Sequence, residues 1–501
     1  MRGVAILASI LISVVAALGA ASRNVALILQ PPVFTGGSSP VAIASAGPPC
    51  VPPSSVCDLD GDGKMDLAVA NYDTDDVSVL WGNGDGTFTP GASTFSVSSG
   101  DIESPVAIAI ADVNGDGNLD IITANESTST VTVLLNQGPG TRTFAAAKES
   151  PTGTTPEAIA VGDFNGDGKL DLATADYLDD TVTVLLGNKD GTFSILSVCS
   201  NAPTQSCHSS SECLSGGTCD AQAIPVDVGP YALVAVDLDH NGTLDLVVAN
   251  TGGGEDGNGS LTVLKGLGNG AFACVAGTDP SCAAPEITSS TFDDPVAIAV
   301  GQGLTDLNGD QNPDLVVVSD ANGTDKGTLS VLLGNGNLTF QNATALYLSD
   351  SSYPQGAVVA DLNGDGIPDI ASSASFLDKV SVFVGLGNGN FAAPVDFALP
   401  EYSNPWGITA GDFNGDGTPD LGVADSTDPG IVSVLLNVTG CVGDCGEAGT
   451  VDVADILTAV NIALGNLPVA ACQAGDANGD GQITVDEILA AVNNALNGCS
   501  A

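Results

Sequence analysis

Positive charge is scarce in this chain. Ten Lys and Arg stand against sixty Asp and Glu, a net charge of −50. A chain this short of cations lacks the basic footprint that nucleic acid requires, and anionic membrane surfaces repel it. Histidine is scarcer still. His208 and His240 are the only two, and no Ser-His-Asp set, nucleophile-elbow motif or zinc motif stands out. Aromatics make up 4% of residues. So large an acid excess would suggest a disordered chain, yet 43% of residues are hydrophobic, enough to bury a core.

Long apolar runs are also missing, with one exception. Arg2 precedes a run from Val4 to Leu18, and small residues follow from Gly19 to Ser22. This pattern predicts a secretory signal peptide over 1–21, cleaved near Ala21; an uncleaved anchor helix is the plainer alternative. No second membrane-spanning candidate follows, so the mature chain is expected to be secreted or at the cell surface. Twelve cysteines, an even count, then read as disulfides rather than metal ligands. They include Cys50 and Cys57, a Cys-rich insertion at 199–219, the loop from Cys274 to Cys282, and Cys441, Cys445, Cys472 and Cys499.

What the chain has in abundance is one motif. Asp-x-Asp/Asn-x-Asp/Asn-Gly-x-x-Asp begins at Asp58, Asp112, Asp163, Asp237, Asp306, Asp361 and Asp412, at intervals of 51 to 74 residues. A repeat of this period implies a modular architecture. Each copy lies between β-like runs. In the third, Pro156 to Val161 is a strand, Asp163 to Asp171 a loop, and Leu172 to Ala175 a second strand. Thr181 to Leu186 is a third strand, Gly187 to Gly191 a turn, and Thr192 to Ile195 a fourth strand. Four short, tightly turned strands per repeat predict one propeller blade, and seven copies predict seven blades. The last copy stops after its third strand, at 432–437. An orphan strand ending in Val33-Phe34-Thr35 is expected to supply the missing fourth and close the ring.

Within each copy oxygen-bearing side chains fall on alternate residues, as a hard divalent cation requires. The first loop offers Asp58, Asp60, Asp62, the Lys64 carbonyl and Asp66. The second offers Asp112, Asn114, Asp116, Asn118 and Asp120, and the third Asp163, Asn165, Asp167, Lys169 and Asp171. The fourth offers Asp237, Asp239, Asn241, Thr243 and Asp245, and the fifth Asp306, Asn308, Asp310, Asn312 and Asp314. The sixth offers Asp361, Asn363, Asp365, Ile367 and Asp369, and the seventh Asp412, Asn414, Asp416, Thr418 and Asp420. The residue at position seven contributes only its carbonyl. Position twelve is never Glu, so these are not EF-hands, and position nine must close the site. Up to seven Ca²⁺ are expected, the fifth site being the weakest because Gln311 stands where the turn wants Gly. The alternative is Asx turns without metal, which would leave several like charges converging uncompensated.

With these residues in view, the region 22–437 resembles the FG-GAP/VCBS repeat family, including the propeller of integrin α chains. The likeness rests on the Asp-Phe-Asn-Gly-Asp-Gly core at 163–168 and 412–417, followed by Leu/Pro-Asp and a β run. The resemblance implies an all-β, seven-bladed β-propeller of four-stranded blades. It says little about ligand.

After Cys441 the pattern turns helical. Val453, Ile456, Leu457, Val460 and Leu464 form one apolar stripe, and Val485, Ile488, Leu489, Val492 and Leu496 a second, 32 residues on. Asp476, Asn478, Asp480, Gln482, Thr484 and Glu487 complete a twelve-residue EF-hand loop for about one further Ca²⁺. The region 441–501 resembles a dockerin, which implies a small α-helical calcium-loop domain and a cohesin-like receptor. A plain EF-hand pair capping the propeller is the alternative.

In this topology the metal loops and the third-to-fourth-strand turns share one end of the ring. Tyr72, Tyr177, Tyr231, Tyr353 and Trp406 map to the opposite end, as a candidate ligand face or as filling between blades. The leading expectation is a calcium-stabilised adhesion or ligand-binding module for an extracellular protein or glycan. A polysaccharide lyase or glycoside hydrolase recruited by the tail is the alternative, and a bare structural spacer the third reading.

Overall fold

The computed structural model describes residues 25, 27–45, 58–89, 93–98, 100, 102–199, 202–207, 213, 219–221, 223–252, 258–274, 287–300, 306–320, 327–348, 353–437, 453–467, 472, 482–484, 488, 491 and 492. The chain divides into two compact units, the larger being Leu27–Leu362 with Ile367–Asn437. That unit is a seven-bladed β-propeller. The first strands are Pro40–Ser45, Pro105–Ala111, Pro156–Gly162, Pro230–Val236, Pro295–Ala299, Pro354–Ala360 and Pro405–Gly411. Each lies beside the first strands of the preceding and following blades, and blade 7 returns to blade 1. Antiparallel strands then step outward in sequence order.

The ring closes as the sequence predicts. In blade 7, Ile431–Asn437 pairs with the N-terminal Val33–Phe34, and a further strand, Leu27–Leu29, extends the same edge. In blades 3 and 4 the order of the strands places the Cys-rich insertion and the Cys274 loop on the links between blades, after the fourth strand. The structure corrects this, because both insertions split that strand. Thr181–Gly187 pairs with Phe193–Ile195 at one end and Ala223–Pro225 at the other. Asn258–Gly266 likewise pairs with Phe272–Cys274 and Ile287–Asp293. Each insertion leaves from the outermost strand, where it disturbs no inner ladder.

Second strands such as Leu67–Asn71 and Asp171–Asp176 are buried along their whole length, because both faces of every blade are covered by neighbours. The cores lie in the seams between blades. The residue at position two of each loop plugs the seam toward the next blade. Leu59 joins blade 2, Phe164 joins blade 4 and Phe413 joins blade 1. Phe413 meets Phe88 edge to face at 5.9 Å, and Phe164 meets Phe272 in the same way at 5.6 Å.

In the other unit the described residues include the α-helix Val453–Ala463, and Ile488, Ala491 and Val492 are helical as well. Gly465, at φ 73°, ends the first of these in a left-handed cap. The expected stripe is rotated: Ala459 and Ile462 face a small core with Cys472, Ile483 and Ile488, whereas Leu457 and Leu464 are exposed. Apolar residues lie on several sides of this helix, so periodicity alone could not orient it. Most of the expected second stripe lies outside the described residues, as do residues 1–21, Cys50, Cys57, Cys441, Cys445 and Cys499.

Candidate functional site

The loop aspartates divide into two roles. Position nine is buried in every blade: Asp66, Asp120, Asp171, Asp245, Asp314, Asp369 and Asp420 are at most 1% exposed. One carboxylate oxygen accepts the N–H of position two, as from Leu59 at 3.0 Å and Phe413 at 2.9 Å. The other accepts an N–H at the end of the third strand, as from Gly82 at 2.8 Å and Asn437 at 2.6 Å. The same pair of bonds recurs in all seven blades. Position nine is therefore first a clamp that pins the loop to its own blade. An ionised carboxylate has about four acceptor positions, so two remain for a cation. Glycine usually follows the third strand because a Cβ at Gly82 would come within 2.1 Å of the Met65 carbonyl oxygen.

Position one organises the loop itself. Asp112 accepts N–H bonds from Gly115 at 2.7 Å, Asp116 at 3.1 Å and Gly117 at 2.9 Å. Asp163, Asp306 and Asp412 do the same. Positions three and five curl inward in turn. In loop 1 Asp58, Asp60 and Asp66, and in loop 4 Asp237, Asp239 and Asp245, bring carboxylate oxygens within 4.8 Å of one another. Asp239 Oδ1 is buried with no hydrogen-bond partner. A donor set made only of oxygens, with one orphaned, fits a hard cation.

Electrostatics point the same way. Burial, together with neighbouring carboxylates and against the two backbone bonds, pushes Asp66 and Asp120 up to about 7 and Asp171 and Asp314 up to about 6. Asp420 is pushed up to about 8 for the same reasons. None of these five carboxylates is directly paired with a cation among the described residues.

Two loops depart from the glycine pattern. Gln311 at position six takes φ 71°, yet its N–H still reaches Asp306 at 2.6 Å, so the loop keeps its shape under strain. His240 stands at position four of loop 4 with φ 56°, where other loops have Gly.

Sequence reasoning missed the cations. Arg142, in the turn of blade 2, reaches back to Asp60 and Asp62 of loop 1 and lies over the Trp81 ring at 5.1 Å. Lys265 bonds Asp239 in loop 4 at 2.5 Å. Lys64 and Lys169 bond the position-five residues Asp62 and Asp167 of their own loops. The only local signal was Lys265, which takes the place of a Leu in the Leu-Leu-Gly pattern.

The opposite end carries the predicted aromatics in pairs. Tyr177 meets Tyr231 at 6.2 Å and Tyr353 meets Phe376 at 5.7 Å, both edge to face. Tyr72 donates to Glu126 of the next blade at 2.9 Å. Trp406 lies at the start of its first strand and is partly exposed. Tyr402, beside it, is 84% exposed. Burial, then Glu126, pushes Glu157 up to about 7. Tyr231 is raised by burial and by carboxylates including Glu157, Asp320 and Glu126.

The insertion cysteines form Cys199–Cys213 and Cys207–Cys219. They cluster like metal ligands, but both disulfides use the thiols. Of the tail loop, Asp476, Asn478, Asp480 and Glu487 lie outside the described residues, while Gln482 and Thr484 lie within them. Among the described residues no helix is long and apolar enough to cross a membrane.

The fold and the loops together define a class of repeat propeller. The FG-GAP-like repeat profile matches residues 58–123, 112–174, 306–372 and 373–423, and the FG-GAP repeat profile matches 155–196. The chain is an FG-GAP repeat protein. No curated protein matches it. Among solved structures it is similar to BBS1N in complex with ARL6DN, at 13% identity and TM-score 0.49, over 83% of this chain and 98% of that one. It is also similar to a lectin of Agrocybe aegerita that recognises non-reducing terminal N-acetylglucosamine, at 19% identity and TM-score 0.44, over 83% and 96%. The Dos1 propeller aligns at 10% identity and TM-score 0.46, over 82% and 95%. Likeness at this level carries no argument about ligand.

Proposed function

We propose that this chain is a secreted, calcium-binding β-propeller that acts as an adhesion or ligand-binding module. The observation that carries the reading is the sevenfold recurrence of an all-oxygen loop whose position-two side chain plugs a seam between blades. A cation held there ties one blade to the next. Position one, three, five and nine side chains with the position-seven carbonyl would hold it, and calcium would supply charge neutralisation rather than chemistry. Extracellular sites of this kind bind at ~10⁻⁴–10⁻³ M. The tail, with its loop at Asp476 to Glu487, would bind about one further calcium and dock to a cohesin-like receptor.

The ligand end would be the rim of Tyr72, Tyr177, Tyr231, Tyr353 and Trp406. The test is equilibrium dialysis to count calcium, then a pull-down of the loaded protein on insoluble polysaccharides with and without chelator. Calcium-dependent retention supports the module. Trp406→Ala and Tyr353→Ala should each weaken retention about tenfold without changing the calcium count; unchanged affinity removes this rim as the ligand face. Glu157, raised to about 7 beside Glu126, favours one second reading, a polysaccharide-active enzyme, because a carboxyl poised near neutrality can act as an acid. Released sugar in the supernatant would establish it.

A further inference from the structure

The seven loops are not electrically alike at position three. It is Asp in loops 1 and 4 (Asp60 and Asp239) and Asn in the other five. Those two aspartates are the ones a basic side chain reaches from outside the loop. The Asp60 side chain is 2% exposed and takes the Arg142 guanidinium, which arrives from the next blade, 82 residues along the chain. Asp239 takes Lys265 from the third strand of its own blade. In three of the asparagine loops the amide turns inward: Asn114, Asn308 and Asn414 donate to Asp116, Asp310 and Asp416 at 3.1, 3.1 and 2.9 Å.

Lys189 also comes up to loop 2, beside Gly115, but among the described residues a bonded cation occurs at position three only where the carboxylate does. A third carboxylate beside those of positions one and nine adds like charge to the loop, and the bonded cation offsets it. The held cation also occupies a carboxylate that would otherwise face a divalent ion, and it repels that ion. We infer that Arg142 and Lys265 are tethered counter-ions that keep loops 1 and 4 in shape without calcium and make them the last loops to fill. This rests on the calcium reading above.

Trp81 allows loop 1 to be read alone. It lies under Arg142, and the only other tryptophan, Trp406, begins a first strand at the opposite end of the ring. Energy transfer to terbium is short-range, so tryptophan-excited terbium emission reports loop 1, and Trp81→Phe should abolish it. The experiment is a terbium titration of the whole chain. Arg142→Met, which keeps an apolar stem over Trp81, should lower the half-saturating terbium on the order of tenfold, the size expected for removing a nearby unit charge. Lys148→Ala, whose ammonium bonds the Asp190 carbonyl in the turn of blade 3 rather than loop 1, should leave it unmoved. An unchanged or raised half-saturation in Arg142→Met overturns the inference. Lys265→Met checks loop 4 independently: the rise in melting temperature on adding calcium should widen relative to the unsubstituted chain, and an equal or smaller rise overturns the inference there. If elemental analysis finds no terbium or calcium on the unsubstituted chain, the calcium reading itself fails. Binding that ignores both substitutions removes the counter-ions alone.

Discussion

The two ends of the propeller solve one problem with different chemistry. Each must tie a blade to the next. At the metal-loop end, backbone N–H groups of the following turn meet loop carbonyls, as Gly86 meets Phe413 at 3.0 Å and Gly270 meets Phe164 at 2.9 Å. At the other end aspartates make the tie. Asp75 accepts from Glu103 and Ser104, Asp180 from Gly229, and Asp378 from Tyr402 and Asn404, all in the next blade. There each tying acid is satisfied by the donors it ties. At the metal-loop end several acids converge, and backbone donors satisfy their geometry without neutralising their charge. One residue type thus makes a finished joint at one end and a joint awaiting an ion at the other.

Removing the ion is the widest test of that contrast. A site filled at a tenfold excess over its Kd adds ~1.4 kcal/mol, so seven sites reach on the order of 10 kcal/mol and shift a melting point by on the order of 10 °C. Calorimetry with calcium and with chelator should show a shift of this size. A shift near zero would mean that the loop end is as finished as the other.

Acid should then replace calcium. Five of the position-nine carboxylates, Asp66, Asp120, Asp171, Asp314 and Asp420, sit near 6 to 8 in the fold and near ~3.9 in an unfolded chain. A raised acid favours the fold fully below the unfolded value, and that contribution is lost as pH rises through the folded value. Chelated protein should therefore tolerate more denaturant at pH 5 than at pH 8.5, by several kcal/mol. With calcium the order should reverse, because protons displace the ion. Parallel pH profiles with and without calcium would break the distinction.

Within a loop the contrast narrows to single residues. Asp420→Ala leaves the Phe413 and Asn437 N–H groups buried and unpaired, which should cost about 3 kcal/mol even under chelator. Asp416→Ala, exposed and bonded within its loop, should cost little under chelator and lose only calcium's contribution. Chemical unfolding of both variants, with and without calcium, separates clamp from donor. Equal losses would mean that position nine does no more than position five.

Much of this was legible in the sequence. Seven in-register copies predict seven blades, and a missing last strand with an orphan first one predicts the closure between Val33 and Val432. Local spacing carries that information. What was not legible is non-local. The second bond of each position-nine aspartate comes from 16 to 21 residues on, and Arg142 meets Asp60 from another blade. The split fourth strands of blades 3 and 4 are short segments separated by long insertions, so their pairing has no periodic trace.

The smallest effect tests whether loop shape is set by residue type or by its hydrogen bonds. Gln311 adopts φ 71° where six loops place Gly, yet donates to Asp306 as those glycines donate to their own position-one aspartates. A left-handed residue with a Cβ costs ~1 kcal/mol, while a glycine loses more freedom on folding, by ~0.4–1 kcal/mol. Gln311→Gly should therefore stabilise the chelated protein by at most about 0.5 kcal/mol. The calcium count should not change, because the N–H that holds Asp306 is present in both. A gain in bound calcium would show that the side chain had blocked the loop, and that its shape follows residue type more than the bonds around Asp306.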